Sequence, residues 1–362
     1  MDNIMDYLRW RGDLSFTAAP FCVVDSLIMA ELSYMDFSGI VDENDYDAIT
    51  VCEAAERFFS NEGAEKTSLG LLVPSTIVGL FRDMAKTERF GKILLGRYVN
   101  IVNDDMQFSA LCARLGDGTR AVVYRGTDDT IIGWKENFEM SYLEAVPAQV
   151  EAVDYLQEAA FSFPEKLRVM GHSKGGNLAA FASVNASEVV QNQILAVCNF
   201  DGPGFEKSET LMENYARIRE RLHTFLPQGS IVGLLLEHDE DYAVVRSKNV
   251  GAFQHDGFSW EVTANDFGRL SELSLEAKKR DVALHEWVTS VEPQQRRQFT
   301  ETLFSLLQST GAKTLTQLTA GGLKSSITML NNMRGLDKES RDVMTHILKL
   351  LILETMKPRT SV

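Results

Sequence analysis

The chain has 362 residues, 44% hydrophobic and 24% charged, enough for one large α/β core with appendages or for two domains. Its formal net charge of −15, with no basic stripe, argues against nucleic acid as a partner and against steady attachment to an anionic membrane surface. No apolar run approaches the length of a membrane span, which excludes integral membrane association. The opening Met1-Asp2-Asn3-Ile4-Met5-Asp6 has neither a basic n-region nor an apolar h-region, so no signal peptide and a cytoplasmic setting are expected. Cys22, Cys52, Cys112 and Cys198 lack CxxC spacing, and buried free thiols are expected rather than a disulfide set or a zinc site.

In chain order, residues 1–92 read as an N-terminal helical segment packed on the core. Val24 to Tyr34, Asp47 to Phe59 and Thr76 to Ala85 carry apolar residues at three- and four-residue spacing, with a turn at Ser60-Asn61-Glu62-Gly63-Ala64. Asp25 and Glu31 are expected as surface or capping groups. From Phe90 the period shortens to two. Arg97 to Asn103, Gln107 to Leu115 and Thr119 to Arg125 alternate as strands, joined by the hairpin signals Asn103-Asp104-Asp105 and Gly116-Asp117-Gly118. A helix from about Ala148 to Phe161, a strand at Lys166 to Met170, a strand at Ile194 to Phe200, a helix at Glu209 to Glu220 and a strand at Leu222 to Leu226 follow. This alternation predicts a mostly parallel sheet flanked by helices, an α/β core over residues 93–262. Beyond it, Leu270 to Ser290, Gln294 to Gln308, Thr314 to Met333 and Lys338 to Met356 read as helices. They form a C-terminal module over residues 263–362 that could serve as a lid, an oligomerisation surface or a partner-binding surface.

One stretch carries chemistry. Val169 to Leu178 reads VMGHSKGGNL and fits G-x-S-x-G as Gly171-His172-Ser173-Lys174-Gly175, between an apolar strand and a helix-favouring run. A serine on a sharp strand-to-helix turn needs very small neighbours, and the helix beginning behind it aims free N–H groups at the place where an oxyanion would form. These features mark a nucleophile elbow with Ser173 as nucleophile and the Lys174 N–H as one oxyanion donor.

Upstream stands Tyr124-Arg125-Gly126-Thr127, directly after a strand and followed by Trp134 and Asn137. Together with the elbow, this pattern resembles the class 3 lipases of the α/β-hydrolase fold, and more closely an uncharacterised bacterial lipase-like family whose elbow reads GHSKGGNLA. The resemblance covers about residues 20–262. It implies that Thr127 supplies the second oxyanion donor and that the general base is His255, in Ala252-Phe253-Gln254-His255-Asp256-Gly257. The order of the chain agrees, since His255 lies in a loop-like stretch downstream of Ser173. Among the other histidines, His172 is the elbow's x position and points away from the nucleophile. His223 lies in a strand, and His285 and His346 lie in C-terminal helices. His238 sits in Glu237-His238-Asp239-Glu240-Asp241, read as a solvated acidic turn rather than a metal site.

The triad acid departs from the class 3 pattern. Ser230, in Pro227-Gln228-Gly229-Ser230-Ile231-Val232-Gly233, occupies that acid's place. Asp201, which leaves the strand after the elbow in Asn199-Phe200-Asp201-Gly202-Pro203-Gly204, is well placed instead, as in pancreatic-type lipases, with Asp239 and Asp241 as alternatives. The reading is a serine hydrolase that cleaves a small ester or a lipid through an acyl-enzyme, with triad Ser173, His255 and Asp201 and with no metal or organic cofactor. The alternatives are an acyltransferase or thioesterase, and a non-catalytic hydrolase-fold protein that binds a partner through its helical ends.

Overall fold

A computed structural model describes residues 2–60, 75–128, 130–205, 209–236, 238, 240–290 and 292–320. Nine strands form one sheet: β1 (Ile49–Thr50), β2 (Leu94–Val102), β3 (Gln107–Arg114), β4 (Thr119–Tyr124), β5 (Lys166–His172), β6 (Ile194–Phe200), β7 (Leu222–Pro227), β8 (Tyr242–Val245) and β11 (Arg269–Leu270). They lie side by side in that order. A separate hairpin pairs β9 (Val262–Thr263) with β10 (Asp266–Phe267). Strands β4 to β8 run parallel, while β1 to β4 and the last pair, β8 with β11, run antiparallel. This mixed sheet, with an antiparallel entry into a parallel centre, is the α/β-hydrolase-like architecture expected from the sequence.

The helices are α1 (Ile4–Arg11), α2 (Val23–Leu32), α3 (Val51–Ser60), α4 (Thr76–Met84), α5 (Ile131–Glu139), α6 (Pro147–Ser162), α7 (Lys174–Asn185), α8 (Glu188–Gln193), α9 (Glu209–Ile218), α10 (Leu275–Ser290), α11 (Pro293–Gln308) and α12 (Leu315–Ala320). Strand alternation sorts the core into two layers. Ala121, Val123, Met170 and Phe200 face the N-terminal helices α1 to α4, while Val122, Tyr124, Leu167, Val169 and Val197 face α6 to α9. Both faces of the sheet are covered, which is why β6 reads as a near-continuous apolar run rather than an alternating one.

Several expectations need correction. Ile49 and Thr50 join the sheet before α3 begins, so the run from Asp47 is not helical throughout. The short strands at Tyr242–Val245 and Arg269–Leu270 gave no pattern signal, because strands of four and two residues are too short to show a period. The sheet therefore continues past residue 262, and Phe267 is buried in the core. Cys112 and Cys198 are buried, but Cys22 and Cys52 are only half-buried; all four are free. Residues 61–64 of the turn, the helix at Thr314 to Met333 beyond residue 320, and the helix at Lys338 to Met356 lie outside the described residues.

Asp25 and Glu31 are not surface groups, since α2 is buried along almost its whole length. Asp25 does cap α2, accepting from the Cys22 N–H at 2.8 Å. Its larger task is an ion pair with Arg89, whose Nε and Nη2 donate to the two carboxylate oxygens at 2.7 and 2.5 Å. The remaining guanidinium protons reach the carbonyls of Leu14, Ala19 and Pro20. One fully buried side chain thus ties three points of the N-terminal segment to the loop that enters β2. Removing one member of such a pair leaves the other charge buried without compensation. Arg89→Met should therefore lower the unfolding free energy by about 3–5 kcal/mol. Urea denaturation followed by circular dichroism measures it, and a loss below about 1 kcal/mol would show that the pair does not hold this segment.

Candidate active site

The turn after β5 has the geometry its sequence requires. Ser173 lies at φ 58° and ψ −133°, a strained conformation for a residue with a Cβ. It is held there by its own N–H, which donates to the Phe200 carbonyl at 2.8 Å, and by its carbonyl, which accepts from the Gly176 N–H at 2.8 Å. The flanking glycines are sterically enforced. A Cβ on Gly171 would lie 2.2 Å from the Gly175 carbonyl, and one on Gly175 would lie 2.2 Å from the Tyr124 oxygen. Helix α7 starts at Lys174, so the Lys174 N–H is one of the helix's unpaired donors.

Parallel pairing sets Asp201 beside Ser173. His172 on β5 is in register with Phe200 on β6, so Ser173 and Asp201 leave neighbouring strands at the same level. Asp201 also has a positive φ, 51°, and no exposed surface. Its Oδ2 accepts from His255 Nδ1 at 2.7 Å. Its Oδ1 accepts from Ser230 Oγ at 2.5 Å and from the Gly233 N–H at 3.2 Å. Ser230, which stands in the class 3 acid's place, thus holds the carboxylate that comes from the preceding strand. Asp241 is exposed, and Asp239 lies outside the described residues.

His255 ends a short 3-10 turn at Gly251–His255. That loop is tied down on several sides. Trp260 Nε1 donates to the Gln254 carbonyl at 2.8 Å, and Gln254 Oε1 accepts from the Gly229 N–H at 2.8 Å. The imidazole is about a quarter exposed, at 27%, so one edge opens outward while Nδ1 faces the buried carboxylate. Among the described residues neither Ser173 Oγ nor His255 Nε2 has a hydrogen-bond partner.

Thr127 follows β4 and is nearly buried, with Asn137 Nδ2 of α5 donating to its hydroxyl at 2.9 Å. The Lys174 side chain, read only as the bearer of an amide, is fully buried. Its ammonium donates to the Gln107 carbonyl at 2.8 Å and pairs with Glu136 of α5. Burial pushes that ammonium below its ordinary value, with the adjacent carboxylate opposing the shift. Both oxyanion candidates are therefore anchored to α5, and α5 itself packs on the C-terminal helices. Ile131 joins Leu303, Phe304, Leu307 and Leu318 in one apolar cluster. Glu136 gave no sequence signal, because a carboxylate inside a helix reads as a solvated face.

His238 is another correction, for it is buried rather than solvated. Its Nδ1 faces Glu240 Oε1 at 3.2 Å and its Nε2 donates to the Gly233 carbonyl at 2.6 Å, on the turn that grips Asp201. Glu240 also accepts from the hydroxyls of Tyr215 and Thr224. Burial alone would raise the Glu240 carboxyl, but the His238 hydrogen bond and charge, with the two hydroxyls, hold it at about 2. His238 is raised: burial opposes the cation, and Glu240 more than offsets it. Among the described residues no group of three or more His, Cys, Asp and Glu side chains is arranged to hold a metal ion, and no helix is long and apolar enough to cross a membrane.

The chain belongs to the Mbeg1-like family, whose model matches residues 84–305. Among solved structures it is similar to a fungal lipase at 13% identity and TM-score 0.41, over 73% of this chain and 93% of that one. It is similar to a mutant form of MDLA from Penicillium cyclopium at 11% identity and TM-score 0.40, over 70% and 87%. The propeptide complex of Rhizomucor miehei lipase aligns at 16% identity and TM-score 0.33, over 42% of this chain and only 57% of that one. No curated protein matches.

The His238–Glu240 pair fixes a pH dependence. A carboxyl whose value is depressed on folding stabilises the fold above its ordinary 4.5 and loses that contribution as pH falls toward about 2. The raised His238 contributes below its ordinary 6.5 and loses that contribution as pH rises through its folded value. Between pH 4.5 and 2 the wild-type protein should lose on the order of 3 kcal/mol through Glu240 alone. Glu240→Gln should flatten that limb of the stability curve in urea melts, and an acid limb as steep as that of the wild type would show the pair to be uncoupled from folding.

Proposed function

We propose that this protein is a serine hydrolase that cleaves carboxylic esters through an acyl-enzyme. The observation that carries the reading is the buried Asp201 carboxylate 2.7 Å from His255 Nδ1, at the edge where Ser173 sits on its strained turn. A carboxylate there holds the imidazole with its proton on Nδ1, which leaves Nε2 as a base, and offsets the charge that forms as the reaction proceeds. Ser173 Oγ adds to the ester carbonyl carbon and its proton passes to His255 Nε2. The carbonyl oxygen becomes an oxyanion, placed to accept from the N–H groups of Thr127 and Lys174. Collapse breaks the bond to the alkoxide, which takes the proton from His255. Water then repeats the sequence, releasing the acid and restoring Ser173. No step calls for a metal or an organic cofactor.

The substrate class is an ester of a small molecule or a lipid. Transfer of the acyl group to an acceptor other than water uses the same residues and is separated from hydrolysis by product analysis. Ser173→Ala should leave a folded protein and remove turnover of p-nitrophenyl esters, since losing a triad member costs several orders of magnitude. Asp201→Asn should lower kcat by about 10³–10⁴-fold with KM little changed, because the amide favours the wrong histidine tautomer. Asp241→Asn should stay within about tenfold of the wild type. Near-normal turnover by folded Ser173→Ala would end the hydrolase reading, and near-normal turnover by Asp201→Asn would remove Asp201 from the triad.

A further inference from the structure

The elbow histidine faces away from the nucleophile but does not leave the site. His172 shares its sheet face with Met170 and so points into the layer of α2, while the next residue, Ser173, turns to the sheet edge. There its ring lies 4.5 Å from the ring of His255, at 34° to it, and its Nε2 lies 2.7 Å from the His255 main-chain carbonyl oxygen. A bare nitrogen lone pair cannot face a carbonyl at that distance, so Nε2 carries a proton. The other nitrogen, Nδ1, lies 3.1 Å from the Tyr34 hydroxyl. A neutral ring accepts there, which makes Tyr34 the donor and fixes a single tautomer.

The surroundings keep the ring neutral. Burial holds His172 well below its ordinary value, with His255 adding to the effect. An acidic group, Glu31, lies 3.8 Å from Nδ1 and is itself buried, with no hydrogen-bond partner for its Oε1 among the described residues. Burial first, and then Asp256, push its carboxyl well above the usual range, which weakens it as a counter-charge to the ring. Glu31 also presses on the loop just past His255, since a Cβ on Gly257 would fall 2.5 Å from its Oε1. Tyr34 reaches the other side of the site, where a Cβ on Gly126, next to Thr127, would fall 2.0 Å from its hydroxyl.

We infer that His172, locked by Tyr34 as the Nε2–H tautomer, is a positioning residue for catalysis: it grips the main chain of His255 and sets that imidazole against Asp201 and Ser173. The inference rests on the hydrolase reading and deepens it. It also gives α2 and the segment after it, which carry no motif, a task at the site. Because Trp260 and the Gln254–Gly229 contact hold the same loop, losing the His172 grip shifts the base rather than releasing it.

Two measurements test this. In steady-state hydrolysis of a short p-nitrophenyl ester, His172→Ala should lower kcat about 10- to 100-fold with KM little changed, the cost of a small displacement of a catalytic group. His172→Gln, which can put an amide N–H where Nε2 was, should recover most of that loss. Tyr34→Phe, which leaves the shape intact but frees the tautomer, should fall between them. In ¹⁵N-histidine NMR of the wild-type protein at pH 7, the ring that disappears in His172→Gln should be neutral with its proton on Nε2. Wild-type turnover by folded His172→Ala, or Gln no better than Ala, would overturn the inference. So would an Nδ1–H or cationic ring, a result that still decides the matter if the alanine variant fails to fold. A wild-type protein with no turnover would sink the hydrolase reading and the positioning role together. Reversal of the tautomer alone, in an active enzyme, would sink only the latter.

Discussion

Asp201 is a carboxylate with no exposed surface, and the arrangement of the sheet edge follows from satisfying it. A buried charge is tolerated only when its oxygens are fully hydrogen-bonded. Its three partners come from two other places in the chain. His255 approaches from the loop after β8, and Ser230 and Gly233 from the turn after β7, while the backbone of Asp201 itself continues β6. That one side chain therefore sets the relative positions of three connections that are remote in sequence. Its positive φ is the cost of turning the carboxylate toward them, and it matches the strained φ of Ser173 on the adjacent strand.

A second tier of buried polar pairs surrounds this edge, each reaching one part of the site. Lys174 and Glu136 join the elbow helix to α5, on which Asn137 contacts Thr127. His238 and Glu240 brace the Gly233 turn, and His172 with Tyr34 braces the His255 loop. Polar networks of this kind specify position more than they add stability, because the desolvation of each group offsets much of its attraction. The N-terminal segment and the C-terminal helix α11 thus both bear on the candidate site, the first through Tyr34 and Glu31 and the second through α5.

The parts legible in sequence were those fixed by local rules. The strand-glycine-serine-helix pattern located the elbow because steric exclusion at Gly171 and Gly175 restricts the residue types there. The hairpins of β2 to β4 and the alternation into β5 and β6 were legible because both layers of the core impose a period. Asp201 stands out in the sequence as a candidate acid by its exit from the strand after the elbow, a position that topology sets beside Ser173. What escaped was set by tertiary contact. Glu136 is buried against Lys174, 38 residues away, and Glu240 against Tyr215 and Thr224, 25 and 16 residues away, while Glu31 is buried by the packing of α2 on the sheet; nothing local distinguishes the three from surface acids. The two-residue strands escaped for a different reason, because pairing rather than pattern defines them.

The central claim is that Ser173 is an activated nucleophile and not merely a residue on a tight turn. Treating the wild-type protein with a fluorophosphonate and mapping the adduct by peptide mass spectrometry tests it directly, since only a serine with a working base and oxyanion hole attacks phosphorus rapidly. The account predicts one adduct per chain, on Ser173, formed within minutes and abolished by prior denaturation. An unmodified Ser173, or label scattered over surface hydroxyls at the rate of the denatured protein, would contradict it and leave a hydrolase fold without the chemistry.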